Sequence, residues 1–355
     1  MGATESTNQI HEQLNHDDLW TSASRLIDRA GSLDALRAHR LQFLALGLWR
    51  EQGRTIPDSL LDEARTAAMM TVGAPALLKR TRDAYDGDLM LMKGAEVACA
   101  YPEPSMRYFR DLDLVADDAP AAQRALIKAG FAEVAASHDF SQDDHLCPLS
   151  WPGLPLLVEV HRQPSSPTYL STLSAEEVLS FAGPSATGID GLLAPKPAAH
   201  AVLLVAHSWT HLPLGRVSDL LDVLAVLPAS DRAEADALAL RWGWERMWRV
   251  TLATADAILD NSAPTIPLRT WASHLTDIRE PSVLGSHLSQ LLAPAVALKP
   301  AQAARGISWS VRHQFGPGPD ERWLTKLHRV SRALSNPLQS KSQHDRRLGR
   351  NPWSR

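Results

Sequence analysis

The chain has few cysteines and no large excess of either charge. Its 355 residues include only two cysteines, Cys99 and Cys147, and these do not form a CxxC pair. We therefore expect neither a disulfide framework nor a cysteine zinc site. The formal net charge of −4 gives no overall attraction to nucleic acid or to acidic membranes. No DNA partner is expected.

Long apolar runs are also missing. Nothing in the sequence approaches the roughly eighteen uninterrupted apolar residues of a membrane-spanning helix, and the first residues lack a basic region followed by an apolar run. We expect a cytoplasmic protein that does not enter the membrane. Hydrophobic residues make up 45% of the chain and charged residues 21%, which is enough apolar material for a sizeable core.

The hydrophobic periodicity changes along the chain and divides it into regions. Residues 1–86 and 186–335 carry apolar residues at helical spacing, whereas residues 87–185 are dominated by strand patterns. The length agrees with two or three modules. Residues 336–355 form a basic tail that we expect to be disordered, either simply solvated or in contact with RNA or an acidic partner. These patterns predict an α+β protein with a mixed β-sheet core between two helical regions.

Two acidic residues stand out in the strand-rich region. Asp111 and Asp113 alternate with Leu112 and Leu114, so on a strand both carboxylates point to one side while the leucines point into a core. Each carboxylate raises the pKa of the other unless a cation offsets their repulsion. Carboxylate oxygens are ligands that Mg²⁺ prefers. The alternative is a solvated strand edge, which is common for an isolated Asp-x-Asp. Phosphoryl chemistry is the first hypothesis.

A glycine turn precedes these acids. Residues 88–92 predict a short apolar strand, Lys93-Gly94 a turn and residues 95–100 a helix that stops before Pro102. The N–H groups at the start of a helix that follows glycine can bind phosphate oxygens. Lys93 could add a point charge, although a solvated turn lysine is the plainer interpretation.

A third acid follows on a predicted hairpin. Residues 145–151, the turn signal Pro152-Gly153 and residues 156–161 have the pattern of two antiparallel strands. Glu159 and His161 then share one face of the second strand. Glu159 could join the two aspartates across neighbouring strands.

These motifs resemble the uncharacterised nucleotidyltransferase family of the DNA polymerase beta superfamily. The resemblance is carried by Lys93-Gly94-Ala95, Tyr101-Pro102-Glu103-Pro104, Arg107, Asp111-Leu112-Asp113-Leu114-Val115 and Val158-Glu159-Val160-His161. It covers residues 88–161 well and the rest loosely. It implies a nucleotidyltransferase fold for the sheet core. The sequence has Ala95 where the superfamily commonly has serine, as this branch often does, and Arg162 where the family has tryptophan.

The resemblance also implies roles for individual residues. Asp111 and Asp113 would bridge two Mg²⁺ (or Mn²⁺) ions, and Glu159 would complete the metal site and help to deprotonate an acceptor hydroxyl. The turn at Gly94 would hold the triphosphate of an NTP. Arg107 could bind the same triphosphate through its guanidinium, or could instead pair with Glu103 four residues upstream.

A helix in the second helical region carries three histidines on one face. His200, His207 and His211 are spaced by seven and four residues. They allow a zinc site, packing between helices, or a substrate pocket. The resemblance weakly supports the pocket through His207, His211 and a following aspartate. Asp222 is the match that we adopt, and Asp219 competes with it.

The function predicted from these features is transfer of a nucleoside monophosphate from an NTP to a hydroxyl-bearing acceptor, with release of pyrophosphate and two-metal catalysis. The acceptor could be a small molecule, a peptide, a protein or RNA. A toxin or antitoxin that modifies RNA or protein would belong to the same enzyme class. The alternative is a non-catalytic nucleotidyltransferase-like module that recognises a peptide or protein partner.

Overall fold

The computed structural model describes residues 16–134, 140, 143–260, 262–315, 324, 331 and 337–343. Most of the predicted basic tail lies outside these residues. The helices are α1 (His16–Asp28), α2 (Leu33–Ala38), α3 (Gln42–Glu51), α4 (Asp58–Ala84), α5 (Ala95–Ala98), α6 (Ala119–Lys128), α7 (Ala175–Leu179), α8 (Pro197–His211), α9 (Val217–Val226), α10 (Arg232–Arg241), α11 (Glu245–Leu259), α12 (Ile266–Thr270), α13 (Val283–Ala297) and α14 (Pro300–Phe315).

The strands form a seven-stranded mixed sheet in the order β3-β4-β5-β2-β1-β7-β6. They are β1 (Leu89–Leu91), β2 (Asp111–Ala116), β3 (Ala132–Glu133), β4 (Leu149–Trp151), β5 (Leu154–His161), β6 (Ala182–Pro184) and β7 (Leu193–Pro195). Helices surround this sheet, so the predicted α+β class is confirmed. The predicted hairpin is β4 and β5, which pair antiparallel around Gly153 with φ +83°.

The central strands place the acidic residues. β2 pairs antiparallel with β1 and parallel with β5. Leu112 and Leu114 of β2 are fully buried and pack with Val158 and Val160 of β5 and with α4 and α6 in one core. Because side chains alternate along a strand, the acids point to the opposite face of the sheet.

That opposite face is covered by a second core. Met90 and Val115 project from the sheet into a cluster that includes residues of α1, α3, α8, α9 and α11. Asp111 and Asp113 share the strand face of Val115 but precede it. The acids therefore lie on the same side of the sheet as this core, nearer the start of β2.

The sheet and the helices share apolar cores. The second core contains residues of helices that precede the strands in the chain and of helices that follow them. Strand β7 lies after residue 185, yet it pairs parallel with β1. The division of the chain into regions at residues 86 and 185 stays a prediction. The boundary at residue 185 falls between β6 and β7, which belong to the same sheet. Among the described residues, no helix combines the length and apolar content that are needed to cross a membrane.

Candidate active site

The turn after β1 requires glycine for a structural reason. Gly94 has φ +68°, and a Cβ placed there would lie 2.5 Å from the backbone oxygen of Asp111. The N–H of Met92 donates to the backbone oxygen of Asp113 at 2.9 Å. The turn is thereby held against the start of β2, where the first acid lies.

The parallel register of β2 and β5 brings two of the predicted acids side by side. Asp113 is the partner of Glu159, and Asp111 is the partner of Leu157. Partners in adjacent strands point to the same side of a sheet, so Asp111, Asp113 and Glu159 share one face. Asp113 is 4% exposed, whereas Asp111 and Glu159 are half-buried. This is the face predicted from the alternation of side chains.

His161 is the third member of the closest cluster. Potential ligand atoms of Asp113, Glu159 and His161 lie within 4.8 Å of one another. The Nε2–H of His161 donates to Oδ1 of Asp113 at 3.1 Å. Asp111 lies on the same strand face but outside this group of three. His161 was predicted to share the strand face of Glu159, but no role was predicted for it.

The three acids differ in pKa because their surroundings differ. Burial alone would raise the pKa of Asp113, but the hydrogen bond and charge of His161, with the charges of Lys93 and His207, lower it overall. Burial and the charge of Asp113 raise the pKa of Asp111. Burial and the charges of Asp113 and Asp111 raise the pKa of Glu159 to about 7. Asp113 is therefore the acid whose ionised form the surroundings favour.

The cluster fits a divalent cation. The Oδ2 atom of Asp113 is buried and has no hydrogen-bond partner within the described part of the chain. A buried carboxylate oxygen without a partner is costly, and a bound cation would remove that cost. Carboxylate oxygens are the ligands that Mg²⁺ prefers, while an imidazole nitrogen is also compatible with Mn²⁺.

Lys93, in the turn before α5, interacts with the charge of Asp113. Its side chain is half-buried. Burial lowers its pKa, while the charges of Asp113 and Asp219 oppose that effect. The ammonium group is therefore close enough to both carboxylates to respond to their charges.

Arg107 is engaged by Asp222 rather than by Glu103. Its Nε and Nη2 donate to the two carboxylate oxygens of Asp222 at 2.8 and 2.7 Å, and its Nη1 donates to the backbone oxygen of Gly94 at 3.0 Å. The Tyr101 hydroxyl also donates to Asp222 at 2.8 Å. The alternative pairing with Glu103 is wrong. Arg107 and Asp222 together connect the turn to α9.

The histidines of α8 have different surroundings. His200 is buried, and its Nε2–H donates to the backbone oxygen of Met92 at 2.7 Å. His207 is half-buried, and its charge contributes to the lowered pKa of Asp113. The side chain of His211 lies outside the described residues. Within the described chain, the candidate metal cluster is at Asp113 and not on this helix.

Arg162, which departs from the family pattern, organises the loop beside His161. Its Nη1 donates to the backbone oxygens of Phe140, Asp143 and His145 at 3.2, 3.0 and 3.2 Å. These hydrogen bonds hold the three backbone oxygens against Arg162, the residue that follows His161. Ala95, which replaces the serine common in the superfamily, begins α5 directly after Gly94.

Arg40 and Arg216 are two further cations that the sequence analysis missed. The charge of Arg40 acts on the pKa of Asp111 and of Lys93, and that of Asp111 acts on the pKa of Arg216. The charges of both arginines therefore interact with that of Asp111. They occur far from the Asp-x-Asp motif in sequence, and no local spacing connects them to it.

Comparison with known proteins identifies one family. The sequence model of an uncharacterised nucleotidyltransferase family matches residues 27–260, which include all of these side chains. Searches of curated proteins and of solved structures gave no match.

Proposed function

The chain belongs to the uncharacterised nucleotidyltransferase family, and from this premise we propose that it transfers a nucleoside monophosphate from an NTP to a hydroxyl-bearing acceptor. The observation that carries the proposal is the pairing of Asp113 with Glu159 across β2 and β5, with Asp111 on the same face. Three acids on two adjacent strands, beside a glycine turn, suit the binding of a metal–triphosphate complex. In the reaction the acceptor oxygen bonds to the α-phosphorus, the bond from that phosphorus to the bridging oxygen breaks, and pyrophosphate leaves.

The metal ligands would be Asp111, Asp113 and Glu159. Bound Mg²⁺ or Mn²⁺ would neutralise phosphate charge and lower the pKa of the attacking hydroxyl. His161 holds Asp113 through the hydrogen bond at 3.1 Å, so we assign it a positioning role. Glu159 would also help to deprotonate the acceptor hydroxyl, as the family resemblance implies.

The residues around the turn have supporting roles. Lys93 lies near Asp113 and would contribute a positive charge to phosphate binding. Arg107 forms an ion pair with Asp222 and donates to the backbone oxygen of Gly94, so we assign both side chains a role in positioning the turn. We keep His207 and His211 as candidates for the acceptor side of the pocket. The hydroxyl-bearing nature of the acceptor and the cytoplasmic location stay predictions.

A labelling experiment tests the proposal. The purified protein is incubated with each α-labelled NTP, Mg²⁺ or Mn²⁺ and a cell extract, and the labelled product is identified. We expect transfer by the wild type and a loss of about a hundredfold or more for Asp113→Asn and Glu159→Gln. Glu234→Gln is the matched control, because Glu234 is exposed on α10.

The same experiment addresses the binding-module alternative. A wild-type protein that neither binds an NTP with Mg²⁺ or Mn²⁺ nor transfers label in extract would contradict the proposed enzyme. Normal transfer by Asp113→Asn would show that the acids are not the reaction centre. Circular dichroism of each variant separates loss of activity from loss of fold.

A further inference from the structure

His39 brings two arginines from distant parts of the chain to the same place. Its backbone oxygen accepts a hydrogen bond from the N–H of Ser218 at 3.3 Å, and its Nδ1 accepts one from the N–H of Val217 at 3.3 Å. Arg40 follows His39 directly, and Arg216 precedes Val217 directly. The end of α2 and the start of α9 therefore meet with one arginine on each side of the contact.

The backbone at Arg40 is one that favours glycine. Arg40 has φ +55° and follows the last turn of α2. Its N–H donates to the oxygen of Arg37 at 3.0 Å, and the N–H of Leu41 donates to the oxygen of Leu36 at 2.9 Å. This pair of bonds defines a helix end at which glycine is the usual residue. A left-handed arginine is strained, and such strain concentrates at functional positions.

The charges of Arg216 and Arg40 act on each other. Burial and the charge of Arg40 lower the pKa of Arg216 to about 10, although Asp219 and Asp111 act in the opposite direction. Two neighbouring arginines repel each other, and a bound metal would neutralise the carboxylates that now offset them. An anion at this place would relieve the repulsion.

Apart from Lys93, the groups at the turn offer little positive charge to an anion. The Nε, Nη1 and Nη2 atoms of Arg107 already donate to Asp222 and Gly94. Helix α5 has four residues, so its dipole is small. The triphosphate of a bound NTP needs further cations.

We propose that Arg40 and Arg216 bind the triphosphate of the NTP substrate, beside the metal-binding acids. The proposal rests on the proposed function, since it assigns the anion subsite of the same centre. It replaces the role that sequence resemblance gave to Arg107. Guanidinium groups can donate two parallel hydrogen bonds to phosphate oxygens, and Arg40 and Arg216 would hold the leaving pyrophosphate during transfer.

Titration calorimetry with Mg²⁺ and either ATP or inorganic triphosphate tests the assignment. We expect Arg216→Gln and Arg40→Gly each to weaken binding of both ligands by about tenfold or more. Arg50→Gln removes the same charge from the exposed face of α3 and should bind as the wild type does. Arg40→Lys keeps a positive charge and should bind more tightly than Arg40→Gly.

The thermal stability of Arg40→Gly distinguishes a binding role from a structural one. Glycine relieves the strained backbone, so we expect the melting temperature to rise by about 1–3 °C while affinity falls. Equal affinities of wild type, Arg40→Gly and Arg216→Gln would overturn the assignment. Arg40→Lys binding no better than Arg40→Gly would also overturn it.

The outcomes separate this assignment from the proposed function. Arginine-dependent binding of triphosphate without transfer of label would support the anion subsite and contradict the enzyme. Transfer of label with arginine-independent binding would support the enzyme and contradict the subsite. If the wild type binds neither ligand and transfers no label, both are overturned.

Discussion

Asp113 differs from the two acids beside it in the direction of its pKa shift. Its lowered pKa follows from the hydrogen bond and charge of His161, whereas the pKa values of Asp111 and Glu159 are raised. In the folded protein without metal, the carboxylate of Asp113 is stabilised and the other two are destabilised. The three acids, which are equivalent in the sequence pattern, are therefore not equivalent energetically.

This difference predicts opposite effects of removing each charge. Without divalent metal at pH 8, Asp111→Asn and Glu159→Gln should raise the free energy of unfolding by roughly 1–3 kcal/mol, because they remove buried like charges. Asp113→Asn should lower it by about 1–3 kcal/mol, because it weakens the contact with His161. Chemical unfolding in the presence of a chelator measures these changes. A gain in stability for Asp113→Asn would contradict the assigned role of His161.

Glu159 also predicts a pH dependence of metal binding. Its carboxyl group, with a pKa of about 7, is partly protonated at neutral pH and must lose its proton to bind a cation. Affinity for Mn²⁺ should therefore rise as the pH increases from 6 to 8, with proton release. Calorimetry in two buffers of different ionisation enthalpy measures the released protons. In Glu159→Gln the pH dependence over this range should become weaker; an unchanged dependence would exclude Glu159 as its source.

At the scale of elements, one ion pair joins the glycine turn to α9. The side chains of Arg107 and Asp222 are each 6% exposed, and Arg107 also donates to the backbone oxygen of Gly94. A buried ion pair adds little net stability, but loss of one partner leaves an uncompensated charge. The contact fixes where α9, and with it Arg216, lies relative to β2.

A double-mutant cycle tests this connection. Arg107→Met and Asp222→Asn should each lower the free energy of unfolding by about 3–5 kcal/mol. The double variant should lose less than the sum of the two, because neither buried charge then remains alone. Urea unfolding of the four proteins measures the coupling. Additive losses would mean that the two side chains do not stabilise each other.

At the scale of the whole molecule, buried neutral histidines connect distant segments. His39 donates to the backbone oxygen of Arg279, His274 to that of Gly215 and His200 to that of Met92. Burial lowers their pKa values to about 3, about 4 and about 4. The N-terminal helices, the sheet and residues 274–279 all depend on imidazoles that stay uncharged.

These histidines predict a loss of stability in acid. Between about pH 6.5 and pH 4 the unfolded chain binds a proton at each histidine that the folded chain does not, so each lowers the free energy of unfolding by up to about 1.4 kcal/mol per pH unit. Glu159, Asp111 and His161, whose pKa values are raised, act in the opposite direction. The test is therefore a difference between two proteins. His200→Gln should lose less stability than the wild type between pH 6.5 and pH 5; parallel curves would contradict the prediction.

The sequence by itself determined the local elements and the shared face of the acids. Alternation along residues 111–115 and 156–161 predicted two strands with leucine and valine buried on one side and carboxylates on the other. The Pro152-Gly153 signal predicted the hairpin, and helical spacing predicted the helical region in which α8, α9 and α11 lie. These features could be predicted because each depends on residues that are close in the chain and on the period of one element.

Only the tertiary structure decided which side chains from distant segments meet. Arg107 pairs with Asp222 across 115 positions, and His39 joins Val217 across 178 positions, so neither contact has a local pattern. The requirement for Gly94 likewise comes from the backbone of β2, which approaches it after the strands pair. Periodicity gives the direction in which a side chain leaves its own element. Its partner, and therefore its pKa and its role, depends on how the elements pack together.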